Sequence, residues 1–308
     1  MPNLRDVRLR MRAVEQTLKV TRAMDLISTA KLRKGRRTLE DVEPYFTRIQ
    51  KSVYDILNNV WKKTGAAALP DGENPLESKF FGRKNSKAPS RRAVVVVTSD
   101  KGLAGGYNAN MFRAVSELAR EIQNPILILI GNIGYRYFVN SPFLILENFS
   151  FQSKLPEVDD AKEIADYLIA QYSWGMFDEV FIVYTHMYSS VKLEPAVRHI
   201  LPLSPDRMRE ELAHFEYEER ADLQFEYLPS VEAVFAALVP LYIKGIIYGC
   251  LVEAYASEQS ARMAAMSEAS QSAEEMLESL RIRYNRERQA GITQEMTEIV
   301  SGSAALQS

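Results

Sequence analysis

Cysteine is almost missing from this chain. Cys250 is the single one in 308 residues, which excludes an intramolecular disulfide and any multi-cysteine zinc site. Histidine is nearly as rare. His186, His199 and His214 show no HExxH spacing, so a zincin-type centre is excluded. Glycine is scarce at 14 residues, few for a loop-rich protein. Neither sign of charge dominates: 38 Lys and Arg face 40 Asp and Glu, a net charge of -2. The global basic excess of a non-specific nucleic-acid coat is therefore missing. Charged residues interrupt every apolar pair in Met1–Arg12, so no secretory h-region is expected there. The best membrane-length stretch, 233–252, contains Pro240 and Lys244 and is bounded by Glu232 and Glu253. A central Lys costs about 2.5–3.5 kcal/mol on insertion scales. The expectation is a buried amphipathic helix in a cytosolic or peripheral protein.

What remains has the composition of a soluble globular protein, with 46% hydrophobic and 25% charged residues. The length suggests two domains or one large one. Residues 3–61 read as a long helix. Leu4, Val7, Met11, Val14 and Leu18 are spaced 3, 4, 3 and 4 apart, the heptad spacing of a coiled-coil seam. The pattern continues more loosely through Met24, Ile27, Val42, Phe46, Ile49, Val53, Ile56 and Val60. Pro44 is expected to kink or interrupt this helix. A second long helical arm spans 229–300. It is rich in alanine, which favours helix and lets a partner helix approach closely. Val252, Tyr255, Met266, Ala273, Leu277, Leu280 and Tyr284 keep a seam near the 3.5 period. Continuous arms would reach about 88 and 108 Å, whereas a compact globule of this size has a radius of gyration of about 19 Å. Two solutions remain: the arms pair as an antiparallel coiled coil projecting from a central domain, or each breaks into bundle helices.

Charge is uneven along the chain. Residues 1–37 hold eleven Lys and Arg against three Asp and Glu, and five of the seven residues Lys31–Arg37 are basic. Such a run is a solvated face, a phosphate site or a dock for an acidic protein surface. No base-stacking aromatics interleave with it, which argues against nucleic acid.

Residues 62–92 read as a linker, with Pro70, Pro75, Pro89, Gly65, Gly72 and Gly82 and no sustained apolar period. The segment 93–228 reads as a central α/β domain. Ala93–Thr98 is a continuous apolar run typical of a buried parallel strand. Further strands are expected at 126–130, 143–146, 180–185, 191–201 and 223–227, and helices at 108–123, 134–139 and 159–172 with Asp159 as a cap. The last segment, 229–308, is the second arm. The Gly-rich turn Ser99–Gly106 could cradle phosphate at a helix N-terminus. It matches neither GxGxxG nor GxxxxGK[ST], and a tight packing turn is the alternative. No catalytic constellation stands out. Cys250 lies in an apolar stretch without a nearby His, Asp159 and Asp160 suit a helix start, and His186 ends a strand.

Three ordered signatures resemble one family. They are Arg10–Met24 with Ser28–Arg33, then Thr98-Ser-Asp-Lys-Gly-Leu-Ala-Gly-Gly-Tyr-Asn108, then Ala256–Met266 continued by Tyr284–Gly302. All three resemble the gamma subunit of the F-type ATP synthase, nearly end to end. The resemblance implies a fold: a long antiparallel coiled coil of N- and C-terminal helices plus a central Rossmann-like α/β domain. It also implies a rotary central-stalk subunit that couples ion flow through a membrane ring to ATP chemistry in an alternating alpha/beta hexamer. No active site, cofactor or metal of its own is implied, and the Gly-rich turn is not a catalytic nucleotide site.

The implied partners are the alpha and beta subunits, epsilon and the membrane c-ring, with delta and the a/b stator subunits in the same complex. The implied place is the cytoplasmic face of the bacterial plasma membrane, as a peripheral protein without a span. Arg288 and Gln289 match residues that engage the beta catch loop, and Thr293, Glu295 and Thr297 lie in the same patch. Met24 and Arg262 match positions facing beta's acidic lever segment. Three departures stand out. Asp25 replaces the usual Lys, Ala104 replaces a common Cys, and Gly291 stands where Ala or Ser is usual. The paired regulatory cysteines of the plant plastid form are missing.

Overall fold

The computed structural model describes residues 4–64, 80, 91–122, 125–151, 154–212, 228 and 231–306. The expected strand at 223–227, most of the 62–92 linker and His214 lie outside the described residues. The chain clusters into two compact units, Met1–Ala30 with Arg262–Ser308 and Lys31–Ala261. Two long helices, α1 (Leu4–Thr64) and α6 (Val231–Leu306), contribute residues to both.

In the first unit the expected seam is present. Val7, Met266, Ala273, Leu277 and Leu280 are 4–7% exposed, and Met11, Val14 and Leu18 are half-buried. The cross-helix contacts run antiparallel. Arg8 Nη2 donates to the Tyr284 hydroxyl at 2.6 Å, while further along α1 Arg22 pairs with Glu274 and Thr21 meets Ser270. One expectation fails. Ile27 is 56% exposed, and Thr21 and Ser28 take the buried positions, at 7% and 2%. A strict heptad from Leu18 steps to Thr21, Asp25 and Ser28, so the register carries hydroxyls into the seam and turns Ile27 outward.

The second unit holds the sheet. Its strands are β1 (Arg92–Val97), β2 (Ile126–Ile130), β3 (Leu144–Phe149), β4 (Glu179–Met187) and β5 (Leu193–Leu201). They lie in the order β3-β2-β1-β4-β5. The first four are parallel, and β5 returns antiparallel on β4. Val94–Val97 are at most 5% exposed, as expected for a strand covered on both faces. One face carries α2 (Tyr107–Ile122) and α3 (Asn132–Phe138), with Met111, Val115 and Phe138 against Val94, Val96 and Val183. The other face carries α4 (Val158–Ser173) and the inner parts of α1 and α6, with Val53, Leu168, Ile243 and Ile247 against Val95, Ile128 and Ile182. Each such aliphatic side chain contributes about 1.5–3 kcal/mol on burial. A short helix, α5 (Pro205–Leu212), follows β5.

Several boundaries differ from the sequence expectation. Helix α1 does not break at Pro44. The lost backbone bond costs about 3 kcal/mol, and burial of the following turns offsets it. Ile49, Val53, Tyr54 and Ile56 enter the core, and Phe46 fills the space over Gly245, where a Cβ would lie 2.2 Å from its ring. Helix α4 starts after Glu157, not at Asp159. The Glu157 amide donates to Asp160 Oδ2 at 2.7 Å, a capping-box contact. Strand β5 begins at Leu193, not Val191, because Ser189 Oγ accepts from the amides of Val191 and Lys192 and holds them in the turn. Strand β3 extends to Phe149.

The apolar stretch singled out near 233–252 lies in α6, which carries an 18-residue window of mean hydropathy 1.5. Length and composition would suit a membrane crossing, yet 56% of that window is buried inside the protein. Val239, Ile243, Ile247 and Val252 sit in the main core. Lys244 Nζ reaches Asp166 of α4 at 2.9 Å, which explains a cation in the middle of an apolar helix.

Candidate functional site

The Gly-rich turn is the place where an open parallel sheet most often binds a ligand. Here β1 sits between β2 and β4, so the strand order reverses at its carboxyl end. The local geometry closes that end. Thr98 Oγ1 donates to the Ile130 carbonyl at 2.8 Å and accepts from the Gly134 amide at 3.1 Å. Gly131, at φ +98°, approaches so closely that a Cβ would lie 2.3 Å from the Thr98 carbonyl oxygen. The Ser99 amide donates to Asn108 Oδ1, and Asn108 Nδ2 donates to Ser99 Oγ at 2.7 Å. Asp100 Oδ1 accepts from the Asn132 amide and side chain and from Ser150 Oγ. Thr98, Ser99 and Asp100 are thus bonded to neighbouring loops.

Helix α6 covers what space remains. The Tyr107 hydroxyl donates to the Ala254 carbonyl at 3.3 Å. Leu251, Ala254, Tyr255 and Glu258 wall a crevice with room for about 50 Å³ beside Thr98 and Asp100. Small-molecule sites typically measure about 300–1,000 Å³. The crevice is smaller than that, and the turn packs helix against sheet. Among the described residues no group of three or more His, Cys, Asp or Glu side chains could hold a metal ion. Cys250 is buried in the main core.

The residues singled out by resemblance fall on the long helices. Arg288, Gln289, Thr293, Glu295 and Thr297 are all exposed on α6. The Thr293 and Thr297 hydroxyls donate to carbonyls one turn back, those of Gln289 and Thr293. Met24 and Asp25 are half-buried on α1. Arg262 is only 7% exposed, so the chain covers most of the side chain that was expected to face a partner. Beyond Leu280 the α6 residues are exposed or half-buried as far as Ser301. Ile282, Ile292, Met296, Ile299 and Val300 stand 50–71% exposed there. This apolar set was not singled out from sequence. Its spacing continues a helical stripe, but only the end of the seam reveals that the stripe has no partner within the chain's described residues.

Comparison with known proteins gives the family. The profile of a family described as ATP synthase matches residues 3–306. The ATP synthase gamma chain of Acetivibrio thermocellus is 38% identical over 307 residues, covering 99% of this chain and all of that one. The gamma chain of Ruminiclostridium cellulolyticum is 39% identical over 306 residues, covering 99% of each. Among solved structures, the central stalk and c-ring of Tetrahymena thermophila mitochondrial ATP synthase matches with a TM-score of 0.59 at 24% identity, covering 82% of this chain and 99% of that chain. The rotor of Euglena gracilis mitochondrial ATP synthase matches with the same TM-score at 16% identity, covering 94% and 98%. At these identities the solved structures speak for the fold. The full-length relatives and the profile settle the family: this chain belongs to the ATP synthase gamma chains, the non-catalytic central-stalk subunits of the F-type enzyme.

Proposed function

We propose that the two terminal arms, 1–61 and 229–308, are the turning shaft inside an alternating alpha/beta hexamer. The central domain, 93–228, is the foot that meets epsilon and the membrane c-ring. In this reading the chain works at the cytoplasmic face of a bacterial plasma membrane, in one complex with delta and the a/b stator subunits. The observation that carries it is the end of α6. The last cross-helix contact of its seam is at Tyr284, while the helix continues with an exposed apolar set and an exposed Arg288–Gln289 pair. A lone amphipathic helix is marginal in water, and its stripe fits a surrounding protein sleeve.

Arg288 and Gln289 are the contacts to the beta catch loop, supported by Thr293, Glu295 and Thr297. Met24 meets the beta lever segment, and the exposed margin of Arg262 lies beside it. The basic stretch 1–37 follows an acidic surface as it turns. Exposed ion pairs are each worth about 0–1 kcal/mol, so a stripe of them attracts without locking. Reconstitution of the chain with alpha and beta subunits tests the reading. The double substitution Arg288→Ala, Gln289→Ala is expected to lower ATP turnover of the assembled head while the complex still forms. Unchanged turnover would remove the catch assignment. A probe on this chain that fails to rotate during hydrolysis would remove the rotor reading altogether.

A further inference from the structure

The β4–β5 hairpin is fastened by a row of polar side chains. On one face of α6, at spacings of four and three, Glu253, Ser257 and Ser260 reach it. Glu253 Oε1 accepts from the Met187 amide at 3.1 Å. Ser257 Oγ donates to the Thr185 carbonyl at 3.0 Å, and Ser260 Oγ donates to the Ser190 carbonyl at 2.8 Å. From α1, Arg36 Nη2 donates to Ser190 Oγ at 2.7 Å and touches Met187 Sδ. One member of this row is also paired with an imidazole. His186 Nδ1 lies 2.5 Å from Glu253 Oε1, with side chains 36% and 14% exposed. The same carboxylate oxygen therefore holds both the imidazole and the Met187 amide.

We propose that the His186–Glu253 pair is a proton-operated latch. While the pair holds a proton it binds the end of β4 to α6, and when the pair gives that proton up the hairpin loosens. The surroundings supply the reason. Two groups 2.5 Å apart share one proton favourably, as imidazolium facing carboxylate. Without it, a mostly buried carboxylate faces a neutral ring, and only the Met187 amide and Arg198 offset its desolvation. Burial raises the Glu253 carboxyl, opposed by the Met187 amide, His186 and Arg198. A raised acid holds its proton more tightly in the fold than in the open state, so stability from this group is lost as pH rises through the pair's titration.

The other charges near the pair are few. Strand β5 presents Glu194, the register partner of His186, and Arg198. Glu194 is itself paired with Lys192 at 3.6 Å. Helix α1 presents Arg36, which is engaged with Ser190. Helix α2 lies on the opposite face of the sheet, against Val183. The rings of Tyr184 and Tyr188 flank the imidazole edge-on.

Amide hydrogen exchange on the full chain from pH 6 to 9, corrected for the intrinsic rate, tests the latch. Protection of segment 185–190 is expected to fall across that range, while that of strand 126–130 stays constant. His186→Lys, which keeps its charge across that range, should abolish the fall. So should Glu253→Gln, which keeps an oxygen for the Met187 amide. Constant protection of 185–190 in the native chain, or an equal fall in His186→Lys, overturns the proposal. A measurement independent of variant stability is the imidazole proton titration of His186 in the native chain. It should move together with the Met187 amide resonance, and separate midpoints for the two also overturn it.

Discussion

The two units solve burial differently. In Lys31–Ala261 the helices and sheet enclose one another, and residues such as Val53, Leu168, Ile182 and Ile247 are fully buried. In Met1–Ala30 with Arg262–Ser308, burial is confined to one narrow seam. That seam includes Thr21, Ser28 and Ser270, and most other residues face outward. A sheet unit with two covered faces carries its own stability. A two-helix seam with hydroxyls in it is marginal alone, because the apolar area per residue is small against a backbone ordering cost of about 1–2 kcal/mol per residue. Hydroxyl pairs also specify register at a cost in stability.

The largest expected effect sharpens that contrast. Leu168→Ala, at a fully buried site in the sheet unit, should cost about 2–5 kcal/mol by removing contacts and leaving a cavity. Denaturant titration of the chain should show it, and a loss below about 1 kcal/mol would mean the sheet unit is not the stable part. A pH effect belongs to the same unit. His199 packs edge-on against Phe181, and burial, with Arg207 adding to it, lowers its pKa from 6.5 to about 4. The unfolded chain therefore binds this proton first. The contribution of a neutral His199 is complete above about pH 6.5 and is lost as pH falls toward 4. His199→Phe should flatten the unfolding midpoint over that window, and an unchanged slope would contradict the assignment.

Within the coil the effects are smaller. Ser270 Oγ donates to Thr21 Oγ1 at 2.7 Å, and Thr21 Oγ1 donates to the Leu18 carbonyl. Ser270→Ala should cost about 0.5–1.5 kcal/mol, whereas Thr21→Val combined with Ser270→Ala should be close to neutral. Thermal unfolding of the single and double variants separates the two cases, and a double variant worse than the single would refute the register-pin reading. The smallest effect is at the surface. Arg22 and Glu274 pair with both side chains at least half exposed. Arg22→Ala should change stability by only about 0–1 kcal/mol, and that change should vanish in high salt.

Much of this was legible from residues alone, and the misses have physical causes. The apolar runs 93–98 and 126–130 marked buried strands because only parallel strands with both faces covered need such uniform side chains. The seam of α6 from Val252 to Tyr284 was legible because heptad spacing has few other uses. Pro44 misled because local propensity knows nothing of Phe46 packing on Gly245 or of the buried turns beyond it. Ile27 misled because an apolar residue one step off register looks like a seam position until the partner helix is in place. The exposed patch on α6 gave a stripe without an address. The three ordered signatures pointed to the family, while the Arg262 position turned out mostly covered by the chain itself.

The near-absence of cysteine and histidine removed disulfide and multi-cysteine zinc chemistry from consideration, and periodicity marked two helical arms and an α/β centre without deciding whether each arm was continuous. These follow from sequence because charge count, ligand count and hydrophobic period are local or additive quantities. Only the tertiary structure decided the rest: that α6 walls the crevice at the end of β1, that Lys244 inside an apolar run answers Asp166, and that His186 and Glu253, 67 positions apart, share one site. Such outcomes depend on which surfaces meet across the chain, and no local pattern encodes a distance between residues so far apart.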